Sequence, residues 1–102
     1  MKKSLVLLKK AELKKLAKVL PSWTINAKET ELSQTLTFEN HLDALVCIAR
    51  ITVHAQVLNH HPEIVFTYKK LKIKLTTHDL KGITQLDVEF AKRIDTLESK
   101  RG

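Results

Sequence analysis

The sequence predicts an α+β fold in the order αββαββα, a four-stranded antiparallel sheet with three helices packed on one face. Three segments carry apolar residues at helical spacing, and four shorter segments alternate apolar and polar residues as strands do. The strands come in two pairs with short connections, which favours antiparallel pairing. Each pair has an apolar face for helices to cover. We expect the 102 residues to form a single domain over residues 1–102.

The first half is predicted to contain a helix and a β-hairpin. The helix covers residues 9–20 and ends before Pro21, because proline disfavours helical backbone in the residue before it. Its apolar stripe consists of Leu8, Leu13, Leu16, Ala17 and Leu20. Alternation then predicts strands at residues 23–27 and 32–38, joined as a hairpin. Gln34 falls on the apolar side of the second strand and is a flaw in its pattern.

The longest helix is predicted at residues 40–59 and has apolar residues on two faces. One stripe follows helical spacing and consists of Leu42, Leu45, Val46, Ala49, Val53, Gln56 and Val57. Ile48 and Ile51 add apolar character beside that stripe. We expect one face to meet the sheet and the other to form a subunit contact. Cys47, the single cysteine, is predicted to be a small buried side chain, which is consistent with a reducing compartment.

A second hairpin follows the long helix. Its strands are predicted at residues 64–68 and 71–75. In the second of them the apolar residues alternate with Lys70, Lys72 and Lys74. These lysines are expected to blunt edge pairing or to keep one face of the sheet wet.

The chain ends with a loop and a helix. The loop covers residues 77–82, and Thr84 with Asp87 resembles a capping box that starts the helix. The apolar stripe of this last helix consists of Ile83, Leu86, Phe90, Ile94 and Leu97. This stripe is the third helical surface available to cover the sheet.

The net charge of +7 is concentrated at one end of the chain. Residues 1–20 hold seven Lys and one acid, whereas the other 82 residues hold eleven bases and ten acids. A basic segment can contact nucleic acid or another polyanion. It fits the solvated face of an amphipathic helix better, so a nucleic-acid partner is not expected.

Targeting and membrane signals are weak. The segment that starts Met1, Lys2, Lys3 imitates a signal peptide, but its apolar run stops at Lys9, short of the roughly 7–15 apolar residues required. No stretch approaches the roughly 20 apolar residues of a membrane span. We therefore expect a cytoplasmic protein with no membrane partner.

Three histidines around the second hairpin are the candidate catalytic residues. His60 and His61 stand at the end of the long helix, where the dipole stabilises a charged imidazole by roughly 0.3–1 kcal/mol. His78 follows the second strand, so antiparallel pairing returns it toward them. Such a cluster can transfer protons near neutral pH. Three histidines can also ligate zinc, but no further motif supports a metal. His41 and His54 are interpreted as structural.

The same residues form a pattern that resembles the pterin-4a-carbinolamine dehydratases. The family pattern is two histidines and a proline, an aromatic residue after a gap of five, a histidine after a gap of nine, and a later aspartate. This sequence supplies His60, His61, Pro62, Tyr68, His78 and Asp87 at those places. The similarity also takes in Trp23 and Phe38 and runs from about residue 8 to residue 97. The combined motif is specific, whereas no single part of it is.

The resemblance implies a homodimer or homotetramer with a pterin substrate. The family reaction dehydrates 4a-hydroxytetrahydrobiopterin to quinonoid dihydropterin, in tetrahydrobiopterin recycling, and uses no metal or organic cofactor. We assign the proton transfers to His60 and His78, and substrate orientation to His61. The other substrate-binding candidates that the resemblance implies are Gln56, Pro62, Asp87 and Trp23.

Three of these candidates have other interpretations. Gln56 replaces an often acidic family residue, and it can accept a hydrogen bond but supplies no negative charge, which predicts reduced activity or an altered substrate. Asp87 also fits a helix cap, and Trp23 also fits a core anchor. The alternative function is a catalytically weak family member that acts as a protein- or polyanion-binding regulatory module. It would use the basic first helix or the second face of the helix at residues 40–59.

Overall fold

The computed structural model describes residues 5–101, so the basic start of the signal-like segment, Lys2 and Lys3, lies outside it. The described elements follow the predicted αββαββα order. They are α1 (Lys10–Val19), β1 (Thr24–Ile25), β2 (Leu32–Thr37), α2 (His41–Leu58), β3 (Glu63–Thr67), β4 (Lys70–Leu75) and α3 (Gln85–Arg101). A 3₁₀ turn at His78–Leu80 lies between β4 and α3.

The four strands form one antiparallel sheet in the order β1-β2-β4-β3. Both predicted hairpins are present, and they are joined through β2 and β4, which place Leu32 opposite Leu75 and Leu36 opposite Leu71. Because β4 is a central strand, its lysines cannot blunt an edge, so the first of the two predicted roles was wrong. The second is confirmed, since the lysines lie on the open face of the sheet, where Lys74 Nζ is 3.6 Å from the Glu63 carboxylate.

β1 is shorter than the predicted strand because Asn26 turns the chain. The Asn26 Oδ1 atom accepts hydrogen bonds from the N–H groups of Thr30 at 2.7 Å and Glu31 at 2.9 Å. A side chain that binds the backbone in this way competes with strand pairing. Pairing therefore stops after Ile25, and β1 remains a two-residue edge strand.

The three helices pack on one face of the sheet, as predicted, with a single apolar core between them. The sheet contributes the buried side chains Leu32, Leu36, Leu71, Ile73 and Leu75. The helices contribute Leu13 and Leu16 from α1, Ala44, Cys47, Ile51 and Ala55 from α2, and Val88, Phe90, Ala91 and Ile94 from α3. The core thus lies under the strand face opposite the lysines.

The two apolar faces of α2 are confirmed, and the face that enters the core is the one that carries Ile51 rather than the longer stripe. Leu42, Val53 and Val57 from that stripe are 61–65% exposed, whereas Ile51 is fully buried. Small side chains on the buried face let α2 approach its neighbours closely, which helical spacing alone does not reveal. The expectation that no segment approaches a membrane span does not hold by length and composition for α2, whose mean hydropathy is 1.2. Its buried face packs against the rest of this fold.

Candidate active site

The end of α2 positions the first two histidines. Asn59 caps the helix in the left-handed conformation, with φ of 49°, a conformation that asparagine tolerates better than most residues. The N–H of His60 donates to the Ala55 carbonyl at 3.0 Å, which closes the last turn. Pro62 follows, and β3 begins one residue later. The predicted helix end near residues 59–60 is therefore confirmed.

His60 is held by a buried carboxylate. Its Nε2 atom lies 2.5 Å from Asp87 Oδ1, in the first turn of α3. The Asp87 side chain is fully buried and the His60 side chain is 11% exposed. The His60 ring also packs near Phe90, with 6.3 Å between the ring centroids. One imidazole edge is thus fixed inside the protein while the ring remains reachable from solvent.

The second carboxylate oxygen of Asp87 also accepts hydrogen bonds. Asp87 Oδ2 accepts hydrogen bonds from the Thr84 N–H at 3.0 Å and from the Thr77 hydroxyl at 2.8 Å. The first contact confirms the predicted helix cap. Capping and the contact with His60 use different oxygens, so a single carboxylate does both. The contribution of Thr77 was missed, because only its place next to His78 marks it in the sequence.

His61 and Gln56 form an exposed pair beside His60. His61 Nε2 lies 3.0 Å from Gln56 Oε1, and both side chains are exposed. The carbonyl oxygen of the glutamine accepts, so His61 donates from Nε2. Gln56 therefore takes the hydrogen-bonding role that a carboxylate could fill at this position, but it brings no charge.

His78 lies at the same end of the second hairpin. The last residues of β4 pair with the first of β3, with Lys74 opposite Glu63, and His78 follows shortly after β4. The turn that carries it is closed by the Thr77 N–H, which donates to the Gly82 carbonyl at 2.8 Å. The His78 side chain is exposed and makes no hydrogen bond with residues 5–101. This pairing puts His78 and the end of α2 at the same end of the hairpin.

Trp23 lies away from the three histidines, at the other edge of the sheet. It precedes β1, at the edge of the sheet opposite β3, and is only 7% exposed. Its indole Nε1 donates to Asp95 Oδ1 at 2.8 Å, and Gln34 Nε2 lies 3.4 Å from the same oxygen. The core-anchor interpretation of Trp23 therefore describes its position, and the polar Gln34 on the apolar side is explained.

Tyr68 also lies away from the histidine cluster, at the far end of β3. The His41 ring stacks on Phe66 and Tyr68, with centroid distances of 4.9 and 5.9 Å. His41 Nδ1 lies 2.7 Å from the Tyr68 carbonyl oxygen, which ties the start of α2 to the hairpin turn. His54 Nδ1 lies 3.3 Å from Arg93 Nη1 on α3. Both histidines therefore have structural contacts, as predicted.

Two concavities of the surface lie away from the histidines. One, of about 470 Å³, is lined by Leu13, Lys14, Ala17, Ile25, Asn26, Ala27 and Glu29. The other, of about 340 Å³, is lined by Asp43, Val46, Cys47, Arg50, Leu97, Glu98 and Lys100. Within residues 5–101, no group of three or more His, Cys, Asp or Glu side chains is arranged to hold a metal ion. His60, His61 and His78 line neither concavity.

The fold is that of an α+β protein that carries His60, His61 and His78 at one end of a hairpin. The model of the family described as pterin 4 alpha carbinolamine dehydratase matches residues 6–97. The chain belongs to the pterin-4a-carbinolamine dehydratase family.

Relatives of similar length support this assignment. A protein of Nostoc punctiforme is 39% identical over 92 residues, which covers 90% of this chain and 97% of its own. One of Prochlorococcus marinus is 37% identical, covering 90% of this chain and 94% of its own. Both are named, provisionally, as pterin-4-alpha-carbinolamine dehydratases.

Two solved structures share the fold. A transcriptional coactivator/pterin dehydratase from Brucella melitensis matches with a TM-score of 0.85 and 24% identity, covering 89% of this chain and 97% of its own. A pterin dehydratase-like protein described as a RuBisCO assembly factor in the alpha-carboxysome matches with a TM-score of 0.64 and 22% identity, covering 74% and 88%. The fold therefore occurs with more than one described role.

Proposed function

We propose that this protein dehydrates 4a-hydroxytetrahydrobiopterin to quinonoid dihydropterin. Hydroxide is a poor leaving group, so an acid donates a proton to the 4a oxygen while the carbon–oxygen bond breaks and water leaves. A base removes the proton from the adjacent ring nitrogen, and the electron pair of that N–H bond forms the new carbon–nitrogen double bond. One proton is given and one is received, so the reaction needs an acid and a base and no redox partner.

The histidines supply both groups. His60 and His78 carry the two proton transfers, and His61 orients the pterin. Imidazole suits both roles because its ordinary titration range lies near neutral pH. Positioned acid–base groups of this kind contribute on the order of 10²–10⁴ to a rate. The pterin itself would lie on the open surface between the end of α2 and the loop that holds His78.

The observation that carries this proposal is the contact between His60 and Asp87. A histidine on an ordinary surface loop has no need of a fully buried carboxylate 2.5 Å from one ring nitrogen. A buried carboxylate orients an imidazole and selects which nitrogen carries the proton. Such an arrangement supports proton transfer at the opposite nitrogen, and it distinguishes His60 from an ordinary solvated side chain.

The test is the rate of 4a-hydroxytetrahydrobiopterin dehydration, followed by absorbance, for the wild type, His60→Ala and His78→Ala. We expect a large acceleration over the spontaneous rate, with a loss on the order of 10² or more in each variant. His54→Ala is the matched control, because His54 contacts α3 rather than the cluster. A wild type no faster than buffer would reject the dehydratase and leave a family member that acts by binding.

We further propose that the protein self-associates through the exposed stripe of α2. Leu42, Leu45, Val46, Val53 and Val57 are each 42–65% exposed. An apolar stripe of this length on one helix is suited to a second copy of the same helix, since identical stripes are self-complementary about a two-fold axis. Gln56 lies on the same exposed face. Association there would therefore alter the surroundings of its partner His61.

A further inference from the structure

Two threonines form a buried pair of hydroxyls behind Asp87. Thr77 is 6% exposed and Thr84 is fully buried. Their Oγ1 atoms are 2.8 Å apart, and Thr77 Oγ1 is 2.8 Å from Asp87 Oδ2. The Leu86 N–H donates to Thr84 Oγ1 at 3.2 Å. The Leu86 N–H, the two threonine hydroxyls and the Asp87 carboxylate form one continuous chain of hydrogen bonds.

The number of protons that each group can donate sets the direction of this hydrogen-bond chain. A backbone N–H can only donate, so Thr84 Oγ1 accepts from Leu86, and Asp87 Oδ2 accepts from the Thr84 N–H at 3.0 Å. Each hydroxyl has one proton to donate. Thr77 gives its proton to Asp87, so Thr84 must give its own to Thr77. Every hydrogen bond in the chain then points toward the carboxylate.

As a carboxylate, Asp87 is an acceptor at both oxygens. Oδ2 receives two donors, the Thr84 N–H and the Thr77 hydroxyl, in the first turn of α3. Oδ1 is then an acceptor as well, and the group 2.5 Å from it is His60 Nε2. In neutral His60 the proton therefore sits on Nε2. Nδ1 makes no hydrogen bond with residues 5–101, so it is the nitrogen left for a substrate.

We propose that Thr77 and Thr84 are positioning residues that set the tautomer of His60, so that Nδ1 is the nitrogen that exchanges protons with the pterin. The catalytic part of this inference rests on the dehydratase proposal, whereas the tautomer does not. Losing the Thr77 hydroxyl leaves Oδ2 with one donor and frees the carboxylate to rotate. His60 then loses the fixed acceptor that keeps its proton on Nε2.

Thr77 also connects the two catalytic histidines. Its hydroxyl holds the carboxylate that orients His60, and its backbone begins the turn that carries His78. That backbone donates to Gly82, and its carbonyl accepts from the Leu80 N–H at 3.1 Å. Thr77 thus contacts both the carboxylate beside His60 and the turn that carries His78. The side chain and the backbone make separate contributions, so a serine should keep both and a valine only the second.

The experiment compares Thr77→Val with Thr77→Ser by ¹⁵N NMR of the His60 ring, which separates a protonated from an unprotonated nitrogen. We expect neutral wild-type His60 to be the Nε2–H tautomer. Thr77→Val should mix the two tautomers and lower kcat by about tenfold or more, as misplacing a reacting group does. Thr77→Ser should restore both properties.

Thr76→Val is the matched control. Thr76 is the neighbouring residue, and its hydroxyl lies 2.7 Å from the Thr30 carbonyl and 3.3 Å from the Gly82 carbonyl, so its loss disturbs the same loop without removing a contact to Asp87. We expect the His60 tautomer in Thr76→Val to match the wild type. A shifted tautomer in this control would mean that any disturbance of the loop suffices, and would overturn a specific role for Thr77.

The wild-type spectrum tests the inference even if Thr77→Val does not fold. Neutral His60 observed with its proton on Nδ1 would overturn the proposed direction of the chain. An Nε2–H tautomer that depends on Thr77, in a protein with no dehydratase activity, would support the positioning role and reject the proposed function. The two proposals can therefore fail separately.

Discussion

His60 Nε2 and Asp87 Oδ1 are 2.5 Å apart, although 27 positions separate the two residues in the sequence. The contact joins the end of α2 to the first turn of α3. It places the charge of a capping carboxylate against the imidazole proposed to transfer protons. Helix capping and orientation of the site are therefore coupled, and one substitution should affect both.

Asp87→Asn is expected to lower stability and turnover together. The amide caps the helix less well and cannot hold His60 Nε2–H as a carboxylate does. We expect a loss of about 1 kcal/mol in the free energy of unfolding and a fall in kcat on the order of 10² or more. Urea unfolding and the dehydration assay measure the two effects. Asp79→Asn, an exposed carboxylate beside His78, should change stability by less than about 0.5 kcal/mol. Full activity in Asp87→Asn would contradict the role given to the pair.

Gln56→Glu is expected to raise turnover. It would place a negative charge beside His61, where Gln56 Oε1 now accepts at 3.0 Å. An exposed pair of this kind contributes about 0.2–1 kcal/mol, equivalent to up to about a fivefold change in rate. Gln56→Ala, which removes the hydrogen bond, should lower kcat/KM. Equal rates for all three proteins would show that this contact has no part in turnover.

Trp23→Phe is expected to destabilise the protein without slowing the folded enzyme. Phenylalanine keeps most of the buried ring but leaves Asp95 without the indole donor. Asp95 is only partly buried and keeps Gln34 Nε2 at 3.4 Å, so the loss of one hydrogen bond should cost about 0.5–1.5 kcal/mol and lower the unfolding midpoint. The rate per folded molecule should match the wild type. A selective rise in KM would instead place Trp23 in the substrate site.

Asn59 provides a backbone test at the end of α2. Asn59→Ala replaces a residue that tolerates the left-handed conformation with one that does so poorly, at φ of 49°, at a cost of about 1 kcal/mol. Asn59→Gly relieves that strain and should unfold close to the wild type. Because His60 follows directly, the alanine variant should also lose turnover. If both variants unfold alike, the cap does not determine this turn.

Val53→Lys tests the proposed self-association. A lysine in the middle of the exposed stripe of α2 would introduce a charge into an apolar contact. We expect it to give monomers in sedimentation velocity at concentrations where the wild type is associated. Thr96→Lys, on an exposed position of α3, should leave the assembly unchanged. A monomeric wild type would reject the proposal directly.

Contacts between residues far apart in the sequence explain what sequence patterns missed. Alternation predicted the wet face of the lysines in β4 but could not show that β4 is central, because the strand order depends on how the two hairpins pair. Helical spacing found two apolar faces on α2 but could not say which one enters the core. That choice depends on the small residues Ala44 and Ala55, which fit against neighbouring elements. The hydrogen-bond chain that joins Thr84, Thr77 and Asp87 likewise forms only when α3 packs beside the loop.

The sequence by itself determined the order of the elements, the pairing of neighbouring strands in hairpins, the end of α2 near Asn59 and the cap at Asp87. These features depend on local periodicity, on proline and asparagine, and on antiparallel geometry between neighbouring strands. Only the tertiary structure decided that Asp87 faces His60 and that Trp23 is held by Asp95. Those contacts require side chains from separate elements to be buried together, and packing specifies them where local sequence does not.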